Sequence, residues 1–205
     1  MKSSGLALSM FFVLTAGIVA SLTAPAIATP IVPDDLIDNG DAGYANSGSW
    51  NNGYTGNAFN PKFDGDISYS PTKGDTATWS FSNLNAGTYT VYAIWSYQSS
   101  TTLTPNAKYT IYDETGNELS SKTVSQQVAP AHDIQITDND SDDEWFEKLG
   151  TVTVSDGTLD VVLSHEGATN SYIVADAIAI TVPEPATLFV LAAGLVGIVR
   201  KRRSA

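Results

Sequence analysis

A run of alternating side chains near the middle of the chain constrains the fold more than any other feature. In residues 88–97, one set of alternate positions is wholly apolar or aromatic, and the other set is mixed. A period of two residues predicts a β-strand with one buried face. We therefore expect a central strand of a sheet that packs on a second sheet. The side chains expected on the buried face are Tyr89, Val91, Ala93, Trp95 and Tyr97.

Other segments have the same character and are separated by turn residues. Residues 76–81 alternate, residues 113–117 and 155–157 have hairpin-turn composition, and residues 171–182 form a long apolar run that we interpret as one strand. No segment of this region has a helical period. About seven or eight short strands at such spacing predict an all-β fold, an antiparallel β-sandwich of the jelly-roll type.

Two stretches are expected to consist mainly of loops. Residues 34–69 contain many Gly, Asn, Asp and Ser residues, with one short strand at Leu36 and Ile37, and residues 129–143 carry the densest run of acidic side chains. Four tryptophans lie in or beside the predicted strands, and we expect them to pack in the core. They are Trp50, Trp79, Trp95 and Trp145.

The N-terminal segment is typical of a cleaved signal peptide. Lys2 supplies a positive charge, residues 6–20 form an apolar region, and residues 26–28 are a small-x-small cleavage site. We place cleavage after Ala28. The sequence then divides into a signal peptide at residues 1–28, a single domain at residues 29–182 and a tail at residues 183–205 that includes a short hydrophobic helix.

The charge of the domain excludes some functions. Residues 29–182 contain five lysines, no arginine and 21 Asp and Glu residues, a formal net charge of −16. Such a surface repels nucleic acid, so we expect no nucleic-acid partner. The chain has no cysteine and two histidines, and no Ser lies in a Gly-x-Ser-x-Gly turn. We therefore expect a protein that is not an enzyme.

The tail joins a short motif, an apolar run and a basic cluster. The motif is Pro183, Glu184 and Pro185, and the 15 residues between Glu184 and Arg200 carry no charge. A helix of that length spans about 22 Å, less than the roughly 30 Å of a bilayer core. In this order the three parts resemble the PEP-CTERM sorting signal. The resemblance implies an exosortase as a processing partner, transient or permanent membrane attachment, and localisation at the cell surface or in an exopolysaccharide matrix. A simple membrane anchor is the alternative.

Seven short motifs follow one another along the domain. They are residues 38–43 (DNGDAG), 48–50 (GSW), 77–81 (ATWSF), 87–95 (GTYTVYAIW), 126–130 (QQVAP), 145–150 (WFEKLG) and 172–178 (YIVADAI). Together they resemble the golvesin C-terminal-like domain, also described as the carbohydrate-binding-like domain of xanthan lyase. The resemblance implies a β-sandwich that binds carbohydrate, with a polysaccharide as partner. A purely structural acidic matrix protein and a small polysaccharide hydrolase are the alternatives.

Aromatic side chains beside polar loops are candidates for sugar binding, because a flat ring can stack on a sugar while neighbouring amides and hydroxyls form hydrogen bonds. Three tyrosines satisfy this description. They are Tyr44, Tyr54 and Tyr97.

Two groups of carboxylates are candidates for a calcium site, and no other cofactor is expected. Asp176 lies within an apolar run, where an unpaired charge is costly. Its neutralising partner is either a calcium ion shared with Asp38 and Asp41, or backbone N–H groups of the turn at residues 38–43. The second group has alternate spacing in an acidic loop that is either solvated or holds calcium loosely. It consists of Asp138, Asp140 and Asp142.

Overall fold

The fold is described from a computed structural model, which describes residues 35–97, 102–137, 143–155, 157–167 and 171–182. Within these ranges the chain forms β-strands and a short 3₁₀ turn at Phe63–Gly65. The strands are β1 (Asp35–Ile37), β2 (Tyr44–Ser47), β3 (Asn51–Tyr54), β4 (Ile67–Ser70), β5 (Thr76–Leu84), β6 (Gly87–Ala93), β7 (Ala107–Asp113), β8 (Glu118–Val124), β9 (Ile134–Thr137), β10 (Asp143–Val154), β11 (Gly157–His165), β12 (Ile173–Ala175) and β13 (Ile178–Thr181).

Two five-stranded sheets face each other across the main core. The first has the order β1-β13-β6-β10-β9 and the second the order β2-β5-β11-β7-β8. The paired strands in both sheets are antiparallel. Tyr89 and Val91 of β6 pack in one cluster with Trp79 and Phe81 of β5. The predicted antiparallel β-sandwich is confirmed, with β6 in the middle of its sheet as the alternation indicated.

The other face of β6 is also covered. Ile94, which follows this strand, is buried in a second cluster with Phe63, Phe146 and Ala177, and Tyr92 packs at its edge. Phe63 and Phe146 meet edge to face, with 5.7 Å between ring centroids. A third, three-stranded sheet has the order β12-β4-β3, and Ile67 of β4 and Val174 of β12 are buried in a third cluster with Phe59 and Leu103.

The apolar run near the C-terminal end of the domain differs from its prediction as one strand. It is divided into β12, which pairs with β4, and β13, which pairs with β1 and β6. Ile173 and Ala175 face the main core, as do Ile178 and Ile180. Strict alternation would not put both pairs on the same face. Asp176 therefore lies at a break where the chain changes sheets and shifts its alternation by one residue.

Three smaller predictions also need correction. The strand predicted for residues 88–97 ends at Ala93, and Tyr97 instead forms an isolated bridge with Asn60. The stretch predicted as an acidic loop contains β9, which pairs with the start of β10. Besides β1, residues 34–69 contain β2, which pairs with β5, and β3, which pairs with β4.

The two predicted processing segments lie outside the described residues. These are the signal peptide at residues 1–28 and the tail at residues 183–205, including Pro183, Glu184 and Pro185. Within the described ranges, no helix is long and apolar enough to cross a membrane.

Candidate functional site

A groove of about 360 Å³ opens where the end of β6 approaches the start of β10. Its walls come from four parts of the chain: the cis Asn60–Pro61 peptide, the residue four positions after β6, the loop before β9 and the start of β10. The lining side chains are aromatic, polar and small. They are Asn60, Pro61, Tyr97, Ala129, Pro130, His132, Glu144 and Trp145.

One wall of the groove is a stack of two rings. The His132 and Trp145 rings lie 4.6 Å apart between centroids, at an interplanar angle of 13°. Trp145 is half-buried, whereas its neighbour Phe146 is fully buried. The prediction that Trp145 packs in the core is therefore wrong. It lies at the open end of β10, where its ring contacts an exposed loop residue.

Tyr97 also lines the groove and is 41% exposed. The backbone around it is held in place: the Tyr97 N–H donates to the Asn60 carbonyl at 3.2 Å, and the Ser96 hydroxyl donates to the Pro61 carbonyl. The Tyr97 ring is thus presented to solvent from a fixed backbone.

Hydrogen bonds before and after His132 fix the loop that carries it. The indole N–H of buried Trp95 donates to the Val128 carbonyl at 3.0 Å. The Ala131 N–H donates to Glu147 Oε2 at 2.7 Å, and Glu147 also pairs with Lys122 at 2.7 Å. On the far side of His132, the Lys148 N–H donates to Asp133 Oδ2 at 2.7 Å. These contacts fix the backbone on both sides of His132, which lowers the entropy that this loop would lose on binding a ligand.

The other two predicted tyrosines lie away from the groove. Tyr44 packs on Trp79 with 5.4 Å between ring centroids, at the edge of the main core. Tyr54 packs edge to face on Phe59 and Tyr69, at 5.6 Å and 5.4 Å. Of the three, the structure brings only Tyr97 into the described groove lining. A sugar-binding role for Tyr44, Tyr54 and Tyr97 remains a prediction.

A pair of buried carboxyl groups lies close to this groove. Asp176 is 0% exposed and Asp38 is 7% exposed. Asp176 Oδ1 accepts the Phe63 N–H at 3.2 Å. Among the described residues, Asp38 Oδ1 and Asp176 Oδ2 have no hydrogen-bond partner. Burial raises the pKa of Asp38 from 3.8 to about 7. Burial and then the charge of Asp38 raise the pKa of Asp176 well above 3.8.

The geometry fits the calcium prediction in part. Two buried carboxylate oxygens without partners are what a hard cation would take. Asp41, however, is exposed, and its Oδ2 accepts the Asp38 N–H at 3.0 Å. No group of three or more His, Asp or Glu side chains within the described ranges is arranged to hold a metal ion. The alternative partner predicted for Asp176, the turn at residues 38–43, is wrong, because its hydrogen bond comes from Phe63.

The second predicted calcium group cannot be placed. Asp138, Asp140 and Asp142 lie outside the described residues. A calcium role for them remains a prediction.

Sequence reasoning missed most of the groove. His132 and Trp145 are 13 positions apart in the chain, and their contact depends on the pairing of β9 with β10, where Trp145 lies opposite Gln135. Their individual residue types gave no signal of this contact. Tyr97 was found because it ends an alternating run and precedes a polar stretch.

Comparison with solved structures identifies several similar folds. A xanthan lyase from Paenibacillus is 25% identical, with a TM-score of 0.55, over 72% of this chain but 13% of the lyase chain. A family 35 carbohydrate-binding module from Clostridium thermocellum is 14% identical over 72% of this chain and 98% of the module, with a TM-score of 0.44. A β-1,3-glucan-binding family 6 module from Bacillus halodurans is 16% identical over 73% of this chain and 96% of the module, with a TM-score of 0.41.

Two family models match the chain, and no curated protein does. The model of the PEP-CTERM protein-sorting motif matches residues 181–203. The model of the golvesin C-terminal domain matches residues 35–182, which is more than two thirds of the 205 residues. Both resemblances predicted from the sequence are thereby confirmed, and the chain belongs to the golvesin C-terminal domain family.

Proposed function

We propose that the domain is a non-catalytic carbohydrate-binding module of an exported protein and that the groove beside β10 is its saccharide site. The observation that carries the proposal is that the exposed Tyr97 and the Trp145–His132 stack line the same groove. Aromatic faces bury the apolar C–H face of a sugar, and polar groups such as the Asn60 amide fix its orientation.

The family and the size of the groove support this proposal. Its volume of about 360 Å³ is within the range of small-ligand pockets. The similar Paenibacillus enzyme acts, by its name, on the polysaccharide xanthan. Because this chain corresponds to 13% of that enzyme's length, the likeness supports an association with polysaccharide and does not extend to lyase activity.

The test is a glycan-array screen with the full-length protein, followed by titration of Trp145→Ala, Tyr97→Ala and a control, Tyr112→Ala. Tyr112 is a half-buried tyrosine of β7 that is not among the groove residues. Loss of an aromatic wall should weaken binding about tenfold or more, with an unchanged melting temperature. Tyr112→Ala should bind like the wild type.

Three outcomes would contradict the proposal. Binding to no glycan would favour the structural matrix protein, and release of new reducing ends would favour the hydrolase. Binding that survives both groove variants would place the saccharide elsewhere on the domain.

We also propose that an exosortase processes the tail and that the protein reaches the cell surface or exopolysaccharide matrix. The match to the sorting motif at residues 181–203 supports this. Mass spectrometry of the mature protein from the producing cells tests it. We expect a C-terminus within or before the apolar run, and an intact run at residues 185–199 would indicate an ordinary membrane anchor instead.

We propose calcium as the ion that neutralises the Asp38–Asp176 carboxyl pair. The support is two carboxylate oxygens that have no hydrogen-bond partner among the described residues, one on the fully buried Asp176 and one on Asp38, which is 7% exposed. A chelator should then lower the melting temperature of the wild type, and no response to chelator or to added calcium would reject the ion.

A further inference from the structure

A lysine outside the groove lining contacts the loop that supplies one of the lining residues. The Lys62 ammonium lies 3.0 Å from the Gly56 carbonyl oxygen, 3.4 Å from that of Phe59 and 3.5 Å from that of Thr55. It also donates to the side-chain oxygen of Asn60, at 3.5 Å. Asn60 lines the groove, whereas Lys62 is half-buried and is not among the lining residues. Lys62 can therefore act on the groove through Asn60.

The charge of Lys62 organises this loop. Residues 29–182 contain five lysines and no arginine, against 21 acidic residues. Lys122, for comparison, pairs with the carboxylate of Glu147. The four oxygens that Lys62 contacts in the loop are neutral, because three belong to backbone carbonyls and one to an amide. An ammonium group donates charge-assisted hydrogen bonds, which are stronger than those between neutral groups. Lys62 therefore fixes the loop at residues 55–60.

The contact with Lys62 decides which way the Asn60 amide is turned. An ammonium group has donors and no acceptor, so the part of the amide directed at it must be the oxygen. The backbone of Asn60 is fixed as well, because its carbonyl accepts the Tyr97 N–H at 3.2 Å. Asn60 is exposed at the groove. The part of its amide left for a ligand is then the Nδ2 amino group, which only donates hydrogen bonds.

We propose that Lys62 is a positioning residue of the saccharide groove. By holding the oxygen of the Asn60 amide, it leaves the Nδ2 amino group to donate a hydrogen bond to an oxygen of the bound sugar. The groove thus selects a glycan with an accepting oxygen at this position, because a ligand without one would leave the amino group unpaired. This inference rests on the proposed saccharide site.

The binding experiment uses neutral oligosaccharides, because removing the charge of Lys62 would alter the binding of a charged glycan directly. Cellohexaose, laminarihexaose and chitohexaose are each titrated calorimetrically into the full-length protein. Asn60→Asp keeps the shape of the side chain and an oxygen for Lys62, but it replaces the donor by an acceptor. A hexasaccharide that binds the wild type should bind Asn60→Asp about tenfold more weakly, with no fall in the melting temperature. Equal affinities for Asn60→Asp and the wild type would overturn the donor role.

A double-mutant cycle tests the positioning role of Lys62. Lys62→Met keeps an unbranched side chain and removes the ammonium group, so it should weaken binding about threefold. In the Asn60→Ala background the same change should have no further effect, because the amide that Lys62 positions is absent. Lys73→Met, at an exposed lysine that is not among the groove residues, is the control and should bind like the wild type. If Lys62→Met weakens binding equally in both backgrounds, Lys62 only supports the loop and the inference is wrong.

A measurement without glycan separates the inference from the proposed function. In the ¹⁵N-labelled protein, the NMR signal of the Asn60 side-chain amide is identified by its loss in Asn60→Ala. Lys62→Met should shift this signal, and Lys73→Met should not. An unshifted signal in Lys62→Met would overturn the inference and leave the saccharide site standing. If the signal shifts but no hexasaccharide binds the wild type, the saccharide site is wrong and the donor role of Asn60 is wrong with it.

Discussion

The buried Asp38–Asp176 pair allows a quantitative test of the electrostatics of this fold. Asp38→Asn keeps the shape of the side chain and removes its charge. In the wild type, burial raises the pKa of Asp38 from 3.8 to about 7, and nearby Asp66, Asp64 and Asp41 add to the effect. The fold therefore favours the protonated form of Asp38, and the ionised form is destabilising.

The direction and size of the effect follow from this pKa. A folded-state pKa above the unfolded value contributes stability that is complete below about pH 4 and is lost as the pH rises to about 7. At about 1.4 kcal/mol per pKa unit, ionisation costs at most about 4 kcal/mol. Because solvent still reaches part of Asp38, we expect about 2 kcal/mol in the free energy of unfolding.

The measurement is thermal unfolding in a chelating buffer at about pH 4 and about pH 8. For a domain of this size, about 2 kcal/mol corresponds to roughly 4–8 °C, so Asp38→Asn should melt that much higher than the wild type at about pH 8. At about pH 4 the two should melt together. Glu118→Gln removes an exposed carboxylate of β8 that is not among the groups raising the pKa of Asp38, so it is the control and should show no such gain. Equal melting temperatures of Asp38→Asn and the wild type at about pH 8 would refute the reasoning.

A calcium arm of the same experiment identifies the neutralising group. If calcium replaces the proton, added calcium should raise the wild-type melting temperature at about pH 8. At a hundredfold excess over its dissociation constant, calcium should add about 2.7 kcal/mol to the free energy of unfolding. Asp38→Asn should lose most of that response. A wild type that does not respond to calcium while Asp38→Asn gains stability would assign the neutralisation to protons alone.

Two further variants test the packing of the sandwich. Gly48→Ala should lower the free energy of unfolding by about 2–4 kcal/mol, because φ is +110° and an added Cβ would lie 2.0 Å from Asp75 Oδ1. Gly53→Ala is its control, because Gly53 has φ +64° and open space around it, and should lower the free energy of unfolding by only about 1 kcal/mol in the same denaturant titration. Gln126→Leu should lower the free energy of unfolding by about 2–3 kcal/mol, because it leaves the backbone groups of Val174 without their hydrogen-bond partner. The fully buried Gln126 amide donates to the Val174 carbonyl at 2.7 Å and accepts the Val174 N–H at 2.9 Å. A chemical-denaturation midpoint within error of the wild type in either variant would contradict the stated contact.

Alternation gave correct predictions where a strand has one apolar and one mixed face. In β6 the odd-numbered positions from Tyr89 onward are buried in the main core, and in β5 Trp79 and Phe81 are. Residues 171–182 lack this contrast, because nearly every position is apolar and both faces are covered. The spacing of apolar residues therefore gave no indication of the break at Asp176, although Asp176 is the one acidic residue of this run and marks its position.

The position of Trp145 shows a second limit. Its place in the sequence predicted a strand correctly, but its burial depends on how far the core extends along β10, which pairing between distant segments decides. The groove likewise combines residues near positions 60, 97, 132 and 145, brought together by the topology alone. Sequence reasoning could therefore propose one aromatic residue of the groove, Tyr97, and could not propose the stack of His132 on Trp145.

The carboxyl pair and the groove share structural parts, so they should be coupled. Phe63 donates its N–H to Asp176 and packs its ring on Phe146, whose neighbours Glu144 and Trp145 line the groove. Pro61, two positions before Phe63, also lines the groove. Neutralising the carboxyl pair should therefore stabilise the groove residues on both of these segments and tighten glycan binding. We expect Asp38→Asn in chelator at about pH 8 to bind a glycan more tightly than the wild type, about twofold to fivefold by the typical range of coupling energies. Identical affinities in the two proteins, with the stability gain present, would show that the groove and the buried pair act independently.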